Sequence, residues 1–152
     1  MRTRAGVILI EDNNVALIER HRAGLSYFVF PGGGVDEGES PEEAAIREAE
    51  EELGIQVGIK QKIAEIHFGQ TNTHVYFLAE RVSGEFGAGT GEEFTDADPY
   101  DPQEGIYIPI WMPVEEMSQH KNIYPASLAE LVVKSVTKGW PKEPVLLFEN
   151  PI

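Results

Sequence analysis

The sequence contains no cysteine and no long uninterrupted apolar run. Without cysteine there is neither a disulfide framework nor a metal site built on thiolates. A helix that crosses a membrane needs about 18 or more consecutive apolar residues, and no stretch approaches that length. We therefore expect a soluble protein of the cytoplasm that has no membrane partner.

Basic residues are scarce. The chain has 12 lysines and arginines against 26 aspartates and glutamates, a formal net charge of −14. Nonspecific binding to DNA or RNA needs a basic surface, so a nucleic acid polymer is not an expected partner. A phosphorylated small molecule is still compatible with this charge if metal cations stand between it and the protein.

The length of 152 residues predicts a single domain over residues 1–152 with a core of its own. The N-terminal apolar run stops at Glu11 without a small-residue cleavage site, so we interpret it as a strand and not as a signal peptide. The stretch 83–105 is rich in Gly, Asp and Pro and is too long for a plain connector, so it is either functional or mobile.

The remaining patterns predict a mixture of strands and helices. Strands are expected at 4–10, 15–19, 26–30, 62–68, 74–80 and 106–111. Helices are expected at 41–53 and 125–138, with a short helical turn at 114–117. This order indicates an α+β or α/β protein in which helices pack on the faces of a mixed sheet.

One segment, GGGVDEGESPEEAAIREAEEELGI, is densely acidic. It holds nine carboxylates, with Arg47 as the only basic residue among them. Ser40 and Glu43, which flank a proline at the first helical position, predict a capping box. Gly54 predicts a left-handed helix end. The acidic residues therefore lie largely on one helix that is bounded at both ends.

Glu48, Glu51 and Glu52 are spaced i, i+3 and i+4, so they share one stripe of this helix. A solvated acidic face would interleave lysine with glutamate, but this segment has no lysine and its carboxylates repel one another. Divalent cations would remove the repulsion, and Mg²⁺ binds carboxylate oxygens while bridging to phosphates. Three carboxylates behind a glycine-rich loop therefore predict a metal site for phosphate chemistry.

The pattern from Gly33 through Glu39 to 47–55, REAEEELGI, resembles the Nudix box G-x5-E-x7-R-E-U-x-E-E-x-G-U at every fixed polar and glycine position. Ala49 stands where a larger aliphatic residue is usual. The resemblance to MutT-like Nudix hydrolases implies an α/β/α sandwich with a mixed central sheet. It also implies Mg²⁺ or Mn²⁺ as cofactor and hydrolysis of the pyrophosphate linkage in a nucleoside diphosphate derivative, a small-molecule nucleotide.

The same resemblance implies roles for individual residues. Glu48, Glu51 and Glu52 match the metal ligands of the family, and the Gly32 carbonyl just before the box matches a backbone ligand. A supporting pair is matched by Glu39 and Arg47, of which Arg47 would hold the carboxylates in place.

A further base often comes from a loop outside the box. In similar family members a glutamate lies a few residues before a strand that carries a Trp-Met pair. Here Trp111 and Met112 follow Glu104, which makes Glu104 the first choice. Glu92 and Glu93 are the competing candidates.

The nucleobase pocket is less well specified. Phe28 and Phe30 alternate with their neighbours, so one face of that strand packs in the core while the other faces a base, although core packing alone would also explain both. Ser127 begins the last helix, in a region that forms part of the base pocket in related enzymes. Oxidised-guanine triphosphatases carry Asn or Asp there, so the serine leaves the substrate open.

Two functions remain in view: an active nucleotide diphosphatase, or a Nudix-fold module that binds a nucleotide without turnover. All three box carboxylates are present, which favours the enzyme. The apolar stretches at 106–111 and 145–148 are candidate edges for a homodimer.

Overall fold

The computed structural model describes residues 2–87 and 106–150. In this part of the chain it has nine strands and three helices. The strands are β1 (Arg2–Glu11), β2 (Asn14–Arg22), β3 (Leu25–Val29), β4 (Gly32–Gly34), β5 (Ile55–Phe68), β6 (Asn72–Gly84), β7 (Ile106–Pro113), β8 (Ile123–Tyr124) and β9 (Val145–Glu149). The helices are α1 (Pro41–Leu53), α2 (Val114–Met117) and α3 (Ala126–Lys138).

The strands form one sheet in the order β8-β3-β2-β1-β6-β5-β9, with β4 paired to β1 and β7 paired to β2. The β1–β2 hairpin closes at Asp12 and Asn13, whose φ angles are 49° and 63°. Short polar side chains tolerate this left-handed region, as the polar cluster at the turn predicts. Three pairs are parallel, β1–β6, β3–β8 and β5–β9, and the others are antiparallel. The predicted mixed sheet is therefore confirmed.

Each face of the sheet has its own apolar core under a helix. On one face the buried alanines of α1 and Leu53 pack against β1, β2, β5 and β6. On the other, Leu128 and Val132 of α3 pack with side chains of α2 and of the strands. Helices thus cover both faces, as the α/β/α architecture requires. No helix in the described ranges is long and apolar enough to span a membrane.

The strands differ from the sequence prediction mainly in length and number. β5 begins at Ile55, directly after α1, and its pairing with β6 carries three register shifts. Such irregularities interrupt the simple alternation from which a strand is recognised in sequence. β4, β8 and β9 were not predicted, because each is short and exists through pairing with a distant strand.

Candidate active site

Helix α1 is fixed at both ends by the predicted caps. The Glu43 amide donates to Ser40 Oγ at 3.1 Å, and the Ser40 amide donates to Glu43 Oε1 at 3.0 Å. Gly54 ends the helix with φ of 78°, and its amide donates to the Glu50 carbonyl at 3.0 Å. The acidic stripe therefore stands on a helix with a defined start and end.

Arg47 is the centre of the acidic segment. Its Nε and Nη2 donate to the two carboxylate oxygens of Glu39 at 2.9 and 3.0 Å. Its Nη1 donates to Glu48 at 2.9 Å and to Glu51 at 3.3 Å, and its Nη2 also reaches the Gly34 carbonyl at 2.9 Å. One guanidinium thus binds three carboxylates and the glycine loop, which relieves part of the repulsion inferred from the sequence.

The pairing shifts the protonation of both partners. Hydrogen bonds from Arg47 and from the Asp36 amide lower the pKa of Glu39 to about 2. The same contact with Glu39, followed by contacts with Glu48 and Glu51, raises the pKa of Arg47 above its ordinary value. Both side chains are therefore charged throughout the neutral range, which keeps the bidentate contact in place.

Glu52 connects the helix to the glycine loop. It is only 6% exposed, and its Oε1 accepts a hydrogen bond of 2.7 Å from the Gly32 amide. Next to it, Gly33 lies so close to the Glu48 carboxyl group that any β-carbon at this position would collide with it. The absence of a side chain at Gly33 therefore allows the loop to approach the Glu48 carboxylate closely.

The predicted metal ligands are side chains with hard oxygen donors, which suit Mg²⁺ or Mn²⁺. Glu48 and Glu52 both lie against the glycine loop, while the Glu51 side chain is 41% exposed. Within residues 2–87 and 106–150, however, no three such side chains converge closely enough to enclose an ion. Arg47 binds two of the three, so a cation there must compete with the guanidinium or share the carboxylates with it.

A cleft of about 540 Å³ opens beside Glu52. Its lining combines basic side chains with aromatic rings, on a protein whose net charge is strongly negative. The residues that line it include Arg4, Arg20, Arg22, Phe30, Gly32, Gly33, Glu52, Phe68, His74, Tyr76, Tyr107, Tyr124 and Glu149. Guanidinium groups suit phosphate and aromatic rings suit a base, so the cleft fits a phosphorylated aromatic ligand.

Two side chains in the cleft have shifted pKa values. Burial, together with nearby Arg4, lowers the pKa of His74 to about 4, so its imidazole is neutral at physiological pH. Burial, supported by Glu52 and Glu149, raises the pKa of Tyr76 above its ordinary value, so its hydroxyl stays protonated. The centres of the Phe68 and His74 rings are 4.4 Å apart, so these two side chains present a pair of uncharged rings to the cleft.

The predicted pocket residues lie in different places. Phe30 lines the cleft and is 4% exposed. Phe28 belongs to the same apolar core as Phe30, but its ring packs against His120 at 5.2 Å and does not line the cleft. Ser127 hydrogen-bonds to Glu149 and is also absent from the lining. The loop candidates Glu92, Glu93 and Glu104 lie outside the described residues.

Several cleft residues could not be found from the sequence. Arg4 and His74 are partners across the parallel β1–β6 pair. The Arg20 guanidinium lies 4.1 Å from the centre of the Tyr107 ring, through pairing of β2 with β7. Each is an ordinary strand residue locally, and only the strand order brings it to the site.

Comparison with known proteins supports the family resemblance that the box motif indicates. The family model described as NUDIX domain matches residues 1–131. The chain is 44% identical over 57 residues to an 8-oxo-dGTP diphosphatase of Proteus vulgaris, and the matched region covers 35% of this chain and 49% of that protein. It is 43% identical over 54 residues to an RNA pyrophosphohydrolase of Saccharophagus degradans, and here the matched region covers 36% of this chain and 32% of that protein. The chain thus spans half or less of the length of these curated relatives.

The fold is also found among solved structures. A Nudix hydrolase from Nitrosomonas europaea superposes with a TM-score of 0.72 over 98% of this chain and 78% of that one, at 18% sequence identity. At such low identity the likeness concerns the fold, an α/β arrangement with a mixed sheet between helices.

Proposed function

The chain belongs to the Nudix family, and from that premise we propose that it is a metal-dependent hydrolase that cleaves the pyrophosphate linkage of a nucleoside diphosphate derivative. One observation carries the proposal. All three box carboxylates are present, and one of them, Glu52, is buried against the glycine loop and lines a cleft together with arginines and aromatic rings. Such a cleft accommodates phosphates and a base together.

The box residues have two roles in the proposed reaction, metal binding and positioning of the metal ligands. Glu48, Glu51 and Glu52 would hold Mg²⁺ or Mn²⁺ together with the Gly32 carbonyl. When bound, such an ion supplies a Lewis acid that neutralises phosphate charge and lowers the pKa of water. Arg47 and Glu39 are positioning residues, because their bidentate contact sets where the Glu48 and Glu51 carboxylates stand.

A carboxylate from the loop would accept the proton of the attacking water. We propose Glu104 for this role, with Glu93 and Glu92 as the alternatives. The base of the substrate would lie against Phe30 and the other rings of the cleft. Roles for Phe28 and Ser127 in substrate binding stay predictions, because neither side chain lines the cleft.

The cleft lining and the names of the relatives both support a nucleotide as the substrate. The two relatives are named for action on a nucleoside triphosphate and on RNA. We propose a small nucleotide, a nucleoside triphosphate or a related derivative. The second candidate is a nucleotide-binding module without turnover, and it is favoured by the hydrogen bonds that engage Glu48 and Glu51 with Arg47.

Phosphate release from a nucleotide panel decides between the two, with pyrophosphatase added for the dNTPs and phosphatase for the other substrates to convert the cleavage products to phosphate. The panel contains canonical and oxidised dNTPs, ADP-ribose, diadenosine polyphosphates and nucleotide sugars, each with Mg²⁺ or Mn²⁺ and, as control, with EDTA. Turnover of one class that stops in EDTA supports the hydrolase. Nucleotide binding with no turnover of any class would favour the binding module.

A further inference from the structure

The C-terminal strand contributes a side chain to the cleft. β9 runs parallel to β5, and its register places Glu149 beside Phe68, at the end of both strands. Phe68 and Glu149 both line the cleft. The family model ends at residue 131 and does not cover this strand. Glu149 is therefore a feature of this chain that the family motif does not describe.

The Glu149 carboxylate is held in one orientation by helix α3. Its Oε2 accepts a hydrogen bond of 3.0 Å from the Ser127 amide, and the Ser127 hydroxyl donates to the same oxygen. Pro125, the residue before the helix, has no side chain that can cap it. Glu149 therefore accepts from the Ser127 amide, which has no partner within the helix. Within the described ranges, no hydrogen bond reaches the other oxygen, Oε1. The carboxylate is thus anchored through one oxygen, and the second remains available to a ligand.

The surroundings of Glu149 include aromatic rings that suit a base. The centres of the Phe68 and His74 rings are 4.4 Å apart, with the ring planes tilted by 49°, and the His74 imidazole is neutral because burial lowers its pKa to about 4. Tyr76 lines the same cleft as Glu52 and Glu149. The cleft therefore contains both Glu52, where phosphates are expected, and an anchored carboxylate with aromatic neighbours.

We propose that Glu149 determines base specificity, with Oε1 accepting hydrogen bonds from a nucleobase edge that presents adjacent N–H donors, as guanine does at N1 and N2. The inference rests on the proposed function, because it assumes that the cleft holds a nucleotide with its phosphates at Glu52. An ionised carboxylate only accepts hydrogen bonds, so it favours an edge of paired donors and disfavours one that offers an acceptor.

The test is calorimetric binding of nucleoside monophosphates, which needs no turnover. Wild-type protein, Glu149→Gln and Glu143→Gln are titrated with GMP and AMP. Glu143 is an exposed glutamate of the same tail and serves as the matched control. In Glu149→Gln the amide oxygen can still accept from the Ser127 amide, which turns the amide NH₂ toward the ligand in place of the acceptor. We expect the wild type and Glu143→Gln to prefer GMP, and Glu149→Gln to lose about tenfold or more of GMP affinity.

Ligand changes on the wild type make the test independent of folding in the variant. GMP is compared with 1-methyl-GMP, which lacks the N1 donor, and with IMP, which lacks the 2-amino group. Both should bind more weakly than GMP. Equal affinity for all four ligands, no binding of any of them, or an unchanged GMP-to-AMP ratio in a folded Glu149→Gln would overturn the proposal. Selective GMP binding without hydrolysis of any nucleotide would leave this inference standing and refute the proposed hydrolase.

Discussion

Gly33 and Gly34 are neighbours in the box loop, but their surroundings differ. A β-carbon on Gly33 would collide with the Glu48 carboxyl group, whereas a β-carbon on Gly34 would meet no atom within 4 Å. Gly33→Ala should therefore push Glu48 out of place and lower kcat/KM by roughly 100-fold, the usual cost of misplacing an active-site group by about 1 Å. Steady-state hydrolysis of the identified substrate measures the effect.

Gly34→Ala is the matched control for this change, since it adds the same methyl group one position later. Melting curves of both variants show whether the loop stays folded. If Gly33→Ala turned over substrate as fast as Gly34→Ala, the close packing of the loop on Glu48 would have no catalytic meaning.

The depressed pKa of His74 predicts a pH dependence of stability. The folded protein takes up the imidazole proton only near pH 4, while the unfolded chain takes it up near the ordinary value of 6.5. Between these pH values the unfolded state binds more protons, so the free energy of unfolding falls as pH is lowered through this window, by up to about 3 kcal/mol. Urea unfolding of the wild type and of His74→Gln from pH 7 to pH 4.5 measures it.

His74→Gln should flatten the dependence in that window, because glutamine does not titrate. Below about pH 4.5 the carboxylates whose pKa is lowered, such as Glu39, add their own loss of stability in both proteins. Parallel curves for wild type and variant from pH 7 to pH 4.5 would show that His74 is protonated as easily in the folded state as in the unfolded one.

The acidic part of the site is predictable residue by residue, and the rest of the cleft is not. Glu39, Arg47 and Glu48 lie within ten residues, so the start of the helix and the turn before it bring them together, and the structure joins them by hydrogen bonds. Arg4 and His74 are 70 positions apart and meet only because β1 and β6 pair in parallel. No local pattern encodes that neighbour relation.

At the scale of the element, the cap of α1 is the clearest determinant of its position. Ser40→Ala removes the oxygen that accepts from the Glu43 amide, so it should lower the free energy of unfolding by about 1 kcal/mol. For a protein of this size that corresponds to about 2–4 °C in Tm. Thermal unfolding followed by circular dichroism at the same pH measures the change.

Ser40→Asp provides the rescue, because aspartate is an equally good N-cap and adds a negative charge at the positive end of the helix. Its Tm should match or exceed that of the wild type. An alanine variant as stable as the aspartate variant would show that packing on the sheet, and not the cap, fixes where the helix begins.

The bounds of α1 agree with the sequence prediction because both of its ends carry local signals, the capping box and Gly54. The strands agree less well for a physical reason. β9 is five residues long and its position depends on pairing with β5, about 80 positions earlier. β5 itself extends to Ile55 through register shifts that break its alternation. Pairing between distant segments decides both, and composition within each segment does not.

At the scale of the whole molecule, charge is unevenly distributed. The chain carries a net charge of −14, but three of its arginines, Arg4, Arg20 and Arg22, line the cleft beside Glu52. A basic cleft in an acidic protein attracts a small anion without giving the molecule a general affinity for polyanions. This distribution supports a phosphorylated small molecule as the ligand of the cleft.

We propose that the carboxylate stripe of α1 carries metal-dependent hydrolysis. Glu52 and Glu50 lie two positions apart on this helix, but Glu52 is 6% exposed beside the cleft and Glu50 is exposed. Glutamine at either position keeps the side-chain shape and removes only the charge. A comparison of Glu52→Gln with Glu50→Gln therefore separates a ligand charge from a general loss of acidity.

The decisive measurement is the rate of hydrolysis of the identified nucleotide by the wild type and by these two variants, at saturating Mg²⁺ or Mn²⁺. We expect Glu52→Gln to lose about 100-fold or more of the activity while its Tm stays close to that of the wild type, because the amide oxygen still accepts from the Gly32 amide. Glu50→Gln should remain near the wild-type rate. Near-full activity in Glu52→Gln would contradict the assignment of the site.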